Sequence, residues 1–204
     1  MKIKQIQVGP IGTNCYLVEN EETHHAVLVD PGDDGDRLMD LIRQEGLTID
    51  AILLTHGHLD HINGLKEVRE GTGAKVYIHH GEADRLVHAK SMFFPGAPKD
   101  FGKADVEYKD GDVIEAAGYK FEVLATPGHT PGGVCLKVGD VVFCGDTVFL
   151  ESIGRTDLPG GSYDELLESI RSKILPLDDE VMLLPGHGPS TTVGWERKRN
   201  PFLQ

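Results

Sequence analysis

The sequence predicts a layered α/β sandwich, in which sheets pack together and are covered by helices. Short apolar or β-branched segments bounded by turn residues recur along the chain, as expected for strands. Longer segments with apolar residues at helical spacing lie between several of them. Some predicted strands follow each other directly and others are separated by a predicted helix. We therefore expect both antiparallel hairpins and strand-helix-strand units.

The predicted elements alternate along the chain. Residues 3–8 alternate polar and apolar side chains and form the first strand. Residues 36–44 place Leu38, Leu41 and Ile42 on one face of a helix. The further strands are short apolar runs that end at turn residues, and the further helices show apolar residues at helical spacing. We predict strands over residues 3–8, 14–19, 26–30, 51–54, 75–78, 119–125, 134–138, 141–144 and 181–184, and helices over residues 36–44, 62–70, 82–88 and 163–174.

Residues 91–111 contain aromatic residues, prolines and glycines without a clear period. The stretch is too long for an ordinary connection, so we predict a loop that borders a functional site.

Charge and cysteine content exclude several classes of function. The chain has 204 residues and a formal net charge of −13, which repels phosphate backbones and anionic membrane surfaces. No apolar run approaches the ~18 residues of a membrane span, and the first residues lack the apolar region of an export signal. Cys15, Cys135 and Cys144 show no CxxC spacing and lie in apolar stretches, as buried thiols do in a reducing compartment. We therefore expect a cytoplasmic protein without a nucleic-acid or membrane partner.

Four apolar segments each run directly into a residue that can bind a metal. In open α/β sheets, ligands bind beyond the carboxyl ends of strands, where loops converge. We therefore expect the chain to bring potential metal ligands to one edge of the sheet structure four times. The four segments are AILLTHGH, FEVLATPGH, VVFCGD and VMLLPGH.

The first segment continues as THGHLDH and is dense in ligands. His56 and His58 are two positions apart, which separates them on a helix but lets both imidazoles converge if the backbone is an extended turn. Asp60 and His61 lie next to the start of the following helix, so their side chains can face a second metal position. No histidine pair here has the spacing of the helical HExxH zinc motif.

Three further residues complete the set of candidate metal ligands. His129 and His187 each follow Pro-Gly at a strand end, and Asp146 ends an apolar strand, where a carboxylate without a partner would be costly. Five imidazoles and two carboxylates suit zinc, iron or manganese better than calcium or magnesium. Seven ligands are too many for one tetrahedral site with an open position, so two metals sharing a bridging carboxylate fit the count. The predicted metal ligands are His56, His58, Asp60, His61, His129, Asp146 and His187.

These motifs resemble those of the metallo-β-lactamase-fold hydrolases. THGHLDH has that family's HxHxDH pattern, and LVDPG, with Asp30 and Gly32, resembles its first motif. The resemblance implies a four-layer αββα sandwich in a single domain over residues 1–204. It also implies that Asp30 supports the metal site through contacts to the ligands without binding a metal itself. It also implies a partition of the ligands. One metal takes His56, His58 and His129, the other takes Asp60, His61 and His187, and Asp146 bridges them.

Within that family, GDTVFLESIGRTDLPGGS most resembles glyoxalase II and its short, single-domain hydroxyacylglutathione-hydrolase-like relatives. The resemblance implies hydrolysis of a small thioester, S-lactoylglutathione or a related hydroxyacyl thioester, by a hydroxide that bridges two divalent ions. Zinc is the expected ion, with iron and manganese as alternatives. Asp60 is the predicted catalytic residue, which orients the nucleophile or passes on a proton. The partner is a small-molecule thioester.

Several alternatives stay open. The GRTD segment also resembles persulfide dioxygenases, which use a single iron, and the identity of the metal separates the two reactions. Arg155 either forms an internal ion pair or contacts substrate. The basic residues 197–199 either bind glutathione or form a solvated helix end. Among the other histidines, His24 and His25 are expected to be exposed, and residues 79–80 to cap a helix or lie on the surface.

Overall fold

The computed structural model of the protein describes residues 1–89 and 99–204. It divides into two compact units. The first unit comprises residues 1–108 and 115–119, and the second comprises residues 109–114 and 120–204. Two six-stranded mixed sheets form the framework, so the predicted α/β class is confirmed. The prediction of a single domain over residues 1–204 stays a prediction.

The sheet of the first unit has the order β1-β2-β3-β4-β5-β6. Its first three strands pair antiparallel, and β3 to β6 pair parallel, with helices in the connections. The strands are β1 Lys2–Val8, β2 Thr13–Asn20, β3 His25–Val29, β4 Thr48–Leu53, β5 Lys75–His79 and β6 Val106–Tyr108. The helices are α1 Gly35–Gln44, α2 Leu59–Ile62, α3 Leu65–Thr72 and α4 Ala83–Val87, with a 3₁₀ turn at His80–Glu82 before α4.

The core of the first unit confirms the predicted face of α1. Leu38 and Ile42 are buried in one apolar cluster with Ile52 of β4 and Ile78 of β5, and Leu41 packs at its edge. Removing these side chains from water stabilises the sheet and fixes the carboxyl ends of β3 and β4.

The second sheet has the order β14-β13-β10-β9-β8-β7. Strand β10 pairs parallel with β13 and antiparallel with β9, so the predicted strands over residues 134–138 and 141–144 form a hairpin around Gly139-Asp140. The strands are β7 Val113–Ala116, β8 Tyr119–Ala125, β9 Val134–Val138, β10 Val141–Gly145, β13 Met182–Pro185 and β14 Thr191–Thr192, and a separate hairpin is formed by β11 Val148–Phe149 and β12 Ser152–Ile153. The helices are α5 Tyr163–Ser169, which continues into a π-helical turn at Ile170–Ile174, and α6 Val193–Arg199.

The predicted helix over residues 62–70 is wrong in one respect, because the structure has two short helices there. Asp60 and His61 lie inside α2 and not before it. The break falls where the backbone nitrogens of Asn63 and Gly64 donate to the carbonyls of Gly32 and Pro31. These tertiary hydrogen bonds end α2 at the edge of the sheet.

The predicted loop over residues 91–111 is also wrong in part. Residues 106–108 form strand β6, and the buried hydroxyl of Tyr108 donates to the carbonyl of Leu54. Burial, with the charges of Asp30 and Glu82 as further causes, raises the pKa of Tyr108 well above its usual value. Residues 91–98 of the predicted loop lie outside the described residues.

No helix in the described part of the chain is long and apolar enough to cross a membrane.

Candidate metal centre

Asp30 organises the ligand loop that follows β4. Its backbone is in the left-handed region, with φ 50°, and its side chain is buried. One carboxylate oxygen accepts the backbone N–H of Thr55 at 2.7 Å, and the other accepts the Thr55 hydroxyl at 2.6 Å. A buried carboxylate needs such donors to offset the loss of water, so Asp30 and Thr55 are locked together.

The same carboxylate sets the tautomers of two predicted ligands. His61 Nδ1 lies 2.9 Å from Asp30 Oδ2 and therefore donates its proton there. The Thr55 hydroxyl, having donated to Asp30, accepts from His56 Nδ1 at 3.1 Å. Both imidazoles thus carry their proton on Nδ1 and a lone pair on Nε2, which is the form that binds a metal.

His56 and His58 converge as their spacing predicts. His58 has extended backbone angles, φ −73° and ψ 146°, and its Nδ1 lies 3.1 Å from His56 Nε2. Two nitrogens bound to one tetrahedral zinc at 2.0–2.1 Å stand about 3.3 Å apart, so the observed separation fits two ligands of one ion.

Glu82 holds the backbone between these two histidines. Its fully buried carboxylate accepts the N–H of Gly57 at 3.0 Å and pairs with Arg85 Nε at 3.0 Å. The sequence does not predict this role, because an acidic residue at a helix start is ordinary and nothing in the sequence connects it to a loop 25 positions earlier.

Asp60 and His61 form the second pair of the loop. Asp60 Oδ2 lies 3.5 Å from His61 Nε2, and the Asp60 side chain is 27% exposed whereas His61 is fully buried. The hydroxyl of Thr13 lies 3.5 Å from the same carboxylate oxygen. In this pair the His61 imidazole therefore lies in the interior, whereas solvent or a ligand can reach the Asp60 carboxylate.

The second unit brings His129, Asp146 and His187 together. They follow β8, β10 and β13 of one sheet, which confirms that these strands run into the predicted ligands. Asp146 Oδ2 lies 3.5 Å from His129 Nε2 and 3.7 Å from His187 Nε2. One carboxylate oxygen between two imidazoles is an arrangement that suits a shared ligand.

Backbone groups contact two of the three predicted ligands of the second unit, His129 and Asp146. His129 Nδ1 lies 2.7 Å from the carbonyl oxygen of Arg155, which can only accept, so the lone pair of His129 is on Nε2. The same segment approaches Asp146 closely, because a Cβ on Gly154 would lie 1.8 Å from the Asp146 carbonyl oxygen.

The side chain of Arg155 forms the internal ion pair that was one of its two predicted roles. Its guanidinium donates two bonds to Asp157, at 2.8 and 2.7 Å. This fork lowers the pKa of Asp157 to about 2 and raises the pKa of Arg155. Both side chains are largely exposed, so the pair stiffens the segment at the surface.

The basic residues after His187 are also engaged. Arg197 and Lys198 both pair with Asp179, and Arg199 lies over the ring of Trp195. This arrangement favours the alternative of a helix end held by local contacts over one that recognises glutathione.

The other histidines and the cysteines agree with the sequence analysis. His24 and His25 are exposed, and His79 caps the 3₁₀ turn by accepting from the N–H of Gly81. Burial raises the pKa of Cys15 and Cys144 well above their usual values, so neither suits a nucleophile.

The donor set fits divalent metals. All seven predicted ligands belong to groups of histidine and aspartate side chains that could hold an ion. Imidazole nitrogen combined with carboxylate oxygen is the chemistry that zinc, iron and manganese accept. The outer contacts of Asp30 and the Arg155 carbonyl leave the lone pairs of three imidazoles on Nε2, as binding requires.

Comparison with known proteins places the chain in a family. The model of the metallo-beta-lactamase superfamily matches residues 8–187. The chain is 36% identical to the hydroxyacylglutathione hydrolase GloC of Haemophilus influenzae, over 100% of this chain and 98% of that protein. It is 40% identical to the probable metallo-hydrolase YqgX of Bacillus subtilis, again over 100% of this chain and 98% of the relative.

Solved structures agree with the sequence relatives. The crystal structure of the B3 metallo-beta-lactamase BLEG-1 superposes with a TM-score of 0.94 at 40% identity and covers 99% of both chains. TTHA1623 in a di-iron-bound form gives a TM-score of 0.87 at 36% identity, covering 98% of this chain and 100% of that one. ETHE1 from Myxococcus xanthus gives 0.82 at 31% identity, covering 98% and 84%.

These similarities confirm the predicted metallo-β-lactamase fold. They extend over essentially the whole chain, and so do the motifs from which the resemblance was inferred. The chain therefore belongs to the metallo-β-lactamase superfamily of metallo-hydrolases.

Proposed function

We propose that the seven ligands hold two divalent metal ions and that the chain hydrolyses a small thioester. The observation that carries this proposal is the complete donor set, with four ligands gathered by the loop after β4 and three by strand ends of the second sheet. In the partition that the family resemblance implies, His56, His58 and His129 hold one ion. Asp60, His61 and His187 hold the other, and Asp146 is shared.

Two ions held in this way would supply a water of pKa about 7 as nucleophile and a Lewis acid for the carbonyl. The side chains of the protein do the rest. Asp30 keeps the imidazoles of His56 and His61 in the binding tautomer. Asp60, which is partly exposed, orients the nucleophile and accepts a proton at its carboxylate.

The thioester class is supported by the relatives. GloC, whose name gives hydroxyacylglutathione as its substrate, is similar over the full length of the chain. We therefore propose S-D-lactoylglutathione or a related hydroxyacyl thioester as substrate. Because Arg197 and Lys198 are bound to Asp179, glutathione recognition would have to come from other residues.

Zinc is the ion we expect, with iron and manganese as alternatives. The similarity to TTHA1623, which was solved in a di-iron-bound form, keeps iron among the candidates. The site has two carboxylates besides its histidines, and such mixed ligation accepts all three metals.

A mononuclear iron enzyme that oxidises persulfides is the second candidate. The GRTD segment supports it, because this segment resembles that of persulfide dioxygenases and its Arg155 carbonyl contacts the proposed ligand His129. Two bound ions favour hydrolysis, and a single redox-active iron favours oxygen chemistry.

Hydrolysis of S-D-lactoylglutathione by protein loaded separately with zinc, iron and manganese tests the proposal. We expect turnover in the wild type and its loss in His58→Ala. The matched control is His25→Ala, because His25 is an exposed histidine remote from the ligand loop in sequence. Absence of turnover with every metal in folded, metal-filled protein would contradict the proposal and favour oxygen consumption with glutathione persulfide.

A further inference from the structure

We propose that an apolar pocket beside Asp60 binds the acyl chain of the substrate, so that short, uncharged acyl thioesters are preferred. This inference rests on the proposed thioesterase function. The pocket has a volume of about 150 Å³ and lies entirely in the first unit. Its apolar walls are Val8, Pro10, Ile11 and Leu59, and Asp60 and Thr13 lie at its polar side.

The wall formed by Pro10 and Ile11 is held in place. Gly12 N donates to the carbonyl of Gly9 at 3.3 Å, which closes a tight turn between β1 and β2. Asp34 accepts the N–H of Gly9 at 3.2 Å, and Arg37 donates to the carbonyl of Gln7 at 3.0 Å. A turn closed by its own hydrogen bond and held on the β1 side presents its side chains at a lower entropic cost when a ligand binds.

Ile11 is 57% exposed although it is large and apolar. A single exposed isoleucine is ordinary, but this one lines a concave pocket beside the buried Val8 and the half-buried Leu59. Val8 is buried, and Leu59 packs against the core of the first unit. An apolar group that fills the pocket would cover Ile11 and remove further apolar surface from water.

The position of the pocket identifies its occupant. Asp60 is both a wall of the pocket and a proposed metal ligand, so an apolar chain lying in the pocket ends next to the proposed reaction centre. The part of a thioester that is apolar and directly attached to the reacting carbonyl is its acyl chain. The thiol carrier, such as glutathione, is charged and does not match these walls.

Size and charge set the limits of the acyl chain. A volume of about 150 Å³ corresponds to about five groups of the size of a water molecule, each taking about 30 Å³. Chains of three to five carbons should therefore fit, and an eight-carbon chain should not. The carboxylate of Asp33 also lines the pocket and disfavours an anionic chain such as succinyl.

The test compares kcat/KM for the S-acetyl, S-propanoyl, S-butanoyl, S-octanoyl and S-succinyl thioesters of glutathione. With about 0.8 kcal/mol for each buried methylene, kcat/KM should rise about fourfold per carbon from acetyl to butanoyl and fall for the other two. Ile11→Ser should reduce the rise to less than about twofold per carbon. Val113→Ser is the matched control, since Val113 is 55% exposed and does not line the pocket.

A second measurement separates this proposal from the proposed function. Butanoate, the product acid, is titrated into protein with ¹³C-labelled isoleucine methyl groups, and the Ile11 signal should shift. If thioesters are hydrolysed but the chain-length dependence is the same in Ile11→Ser, the acyl pocket is wrong and the thioesterase function stands. If no thioester is hydrolysed but butanoate shifts Ile11, the pocket stands and the thioesterase function is wrong. If neither turnover nor a shift is seen, both are wrong.

Discussion

The two groups of proposed metal ligands are built in different ways. The four proposed ligands of the first unit come from one segment of six residues, His56 to His61, and the buried carboxylate of Asp30 orients two of its imidazoles, His61 directly and His56 through Thr55. The three proposed ligands of the second unit come from three strand ends, and a backbone group, the carbonyl of Arg155, orients His129. The orientation of the first group therefore depends on a few buried side chains, and that of the second depends on the path of the main chain.

One device is common to both groups. A glycine lies directly against the backbone of the proposed aspartate ligand in each case, because a Cβ on Gly32 would lie 1.8 Å from the Asp60 carbonyl oxygen, as would one on Gly154 from that of Asp146. Each aspartate is therefore held by close backbone packing, whatever orients its neighbouring histidines.

Asp146→Ala should have the largest effect. Asp146 contacts both histidines of its group, and loss of an outer partner alone costs about 10- to 100-fold, so loss of this ligand should lower activity more than about 100-fold. Steady-state kinetics and metal content measure the effect. Asp140→Ala, at an exposed turn of the same unit, is the control. Retention of both metal and activity in Asp146→Ala would show that the second group is not a ligand group.

Asp30→Asn and Arg155→Ala compare the two ways of orienting histidines. Asparagine keeps the shape of Asp30 and tolerates its positive φ, but it removes the charge that sets two tautomers, so metal affinity should fall about 10- to 100-fold. Arg155→Ala keeps the carbonyl that orients His129, so metal affinity should change less than about threefold. Competition with a chelator measures both, and equal losses would contradict the distinction between side-chain and backbone support.

Gly32→Ala and Gly154→Ala test the device that the groups share. A methyl group at either site overlaps a carbonyl oxygen, so the free energy of unfolding should fall by about 1–3 kcal/mol and metal content should fall as well. Gly139→Ala should cost about 1 kcal/mol from its φ of 54° but leave metal content unchanged, because nothing lies within 4 Å of its Cβ. Denaturant unfolding and metal analysis measure both quantities, and full metal content in the first two variants would contradict this account of the aspartates.

The smallest effect concerns the ion pair of the second group. The Arg155 hydrogen bonds lower the pKa of Asp157 from 3.8 to about 2, so the pair stabilises the fold above pH 3.8 and this stabilisation is lost as pH falls through about 2. The Tm of the wild type should exceed that of Asp157→Asn slightly at pH 5, and the difference should close toward pH 2. A difference that widens on acidification would contradict the assigned direction.

The difference between the groups also explains what the sequence could predict. A contiguous motif such as THGHLDH is visible in any one sequence, and the repeated strand-end pattern was enough to propose His129, Asp146 and His187 as ligands. Glu82 was missed, because its hydrogen bond to Gly57 depends on tertiary packing. Strand β6 and the break after α2 were missed for the same reason, since each is fixed by contacts with residues distant in sequence.

Metal stoichiometry tests the central claim most directly. Elemental analysis of protein saturated with zinc and freed of loosely bound ions should give two ions per chain. His58→Ala and His187→Ala, one from each group, should each bind fewer, and His25→Ala should still bind two. One ion per chain in the wild type, or two in both ligand variants, would contradict a dinuclear centre assembled from the two groups.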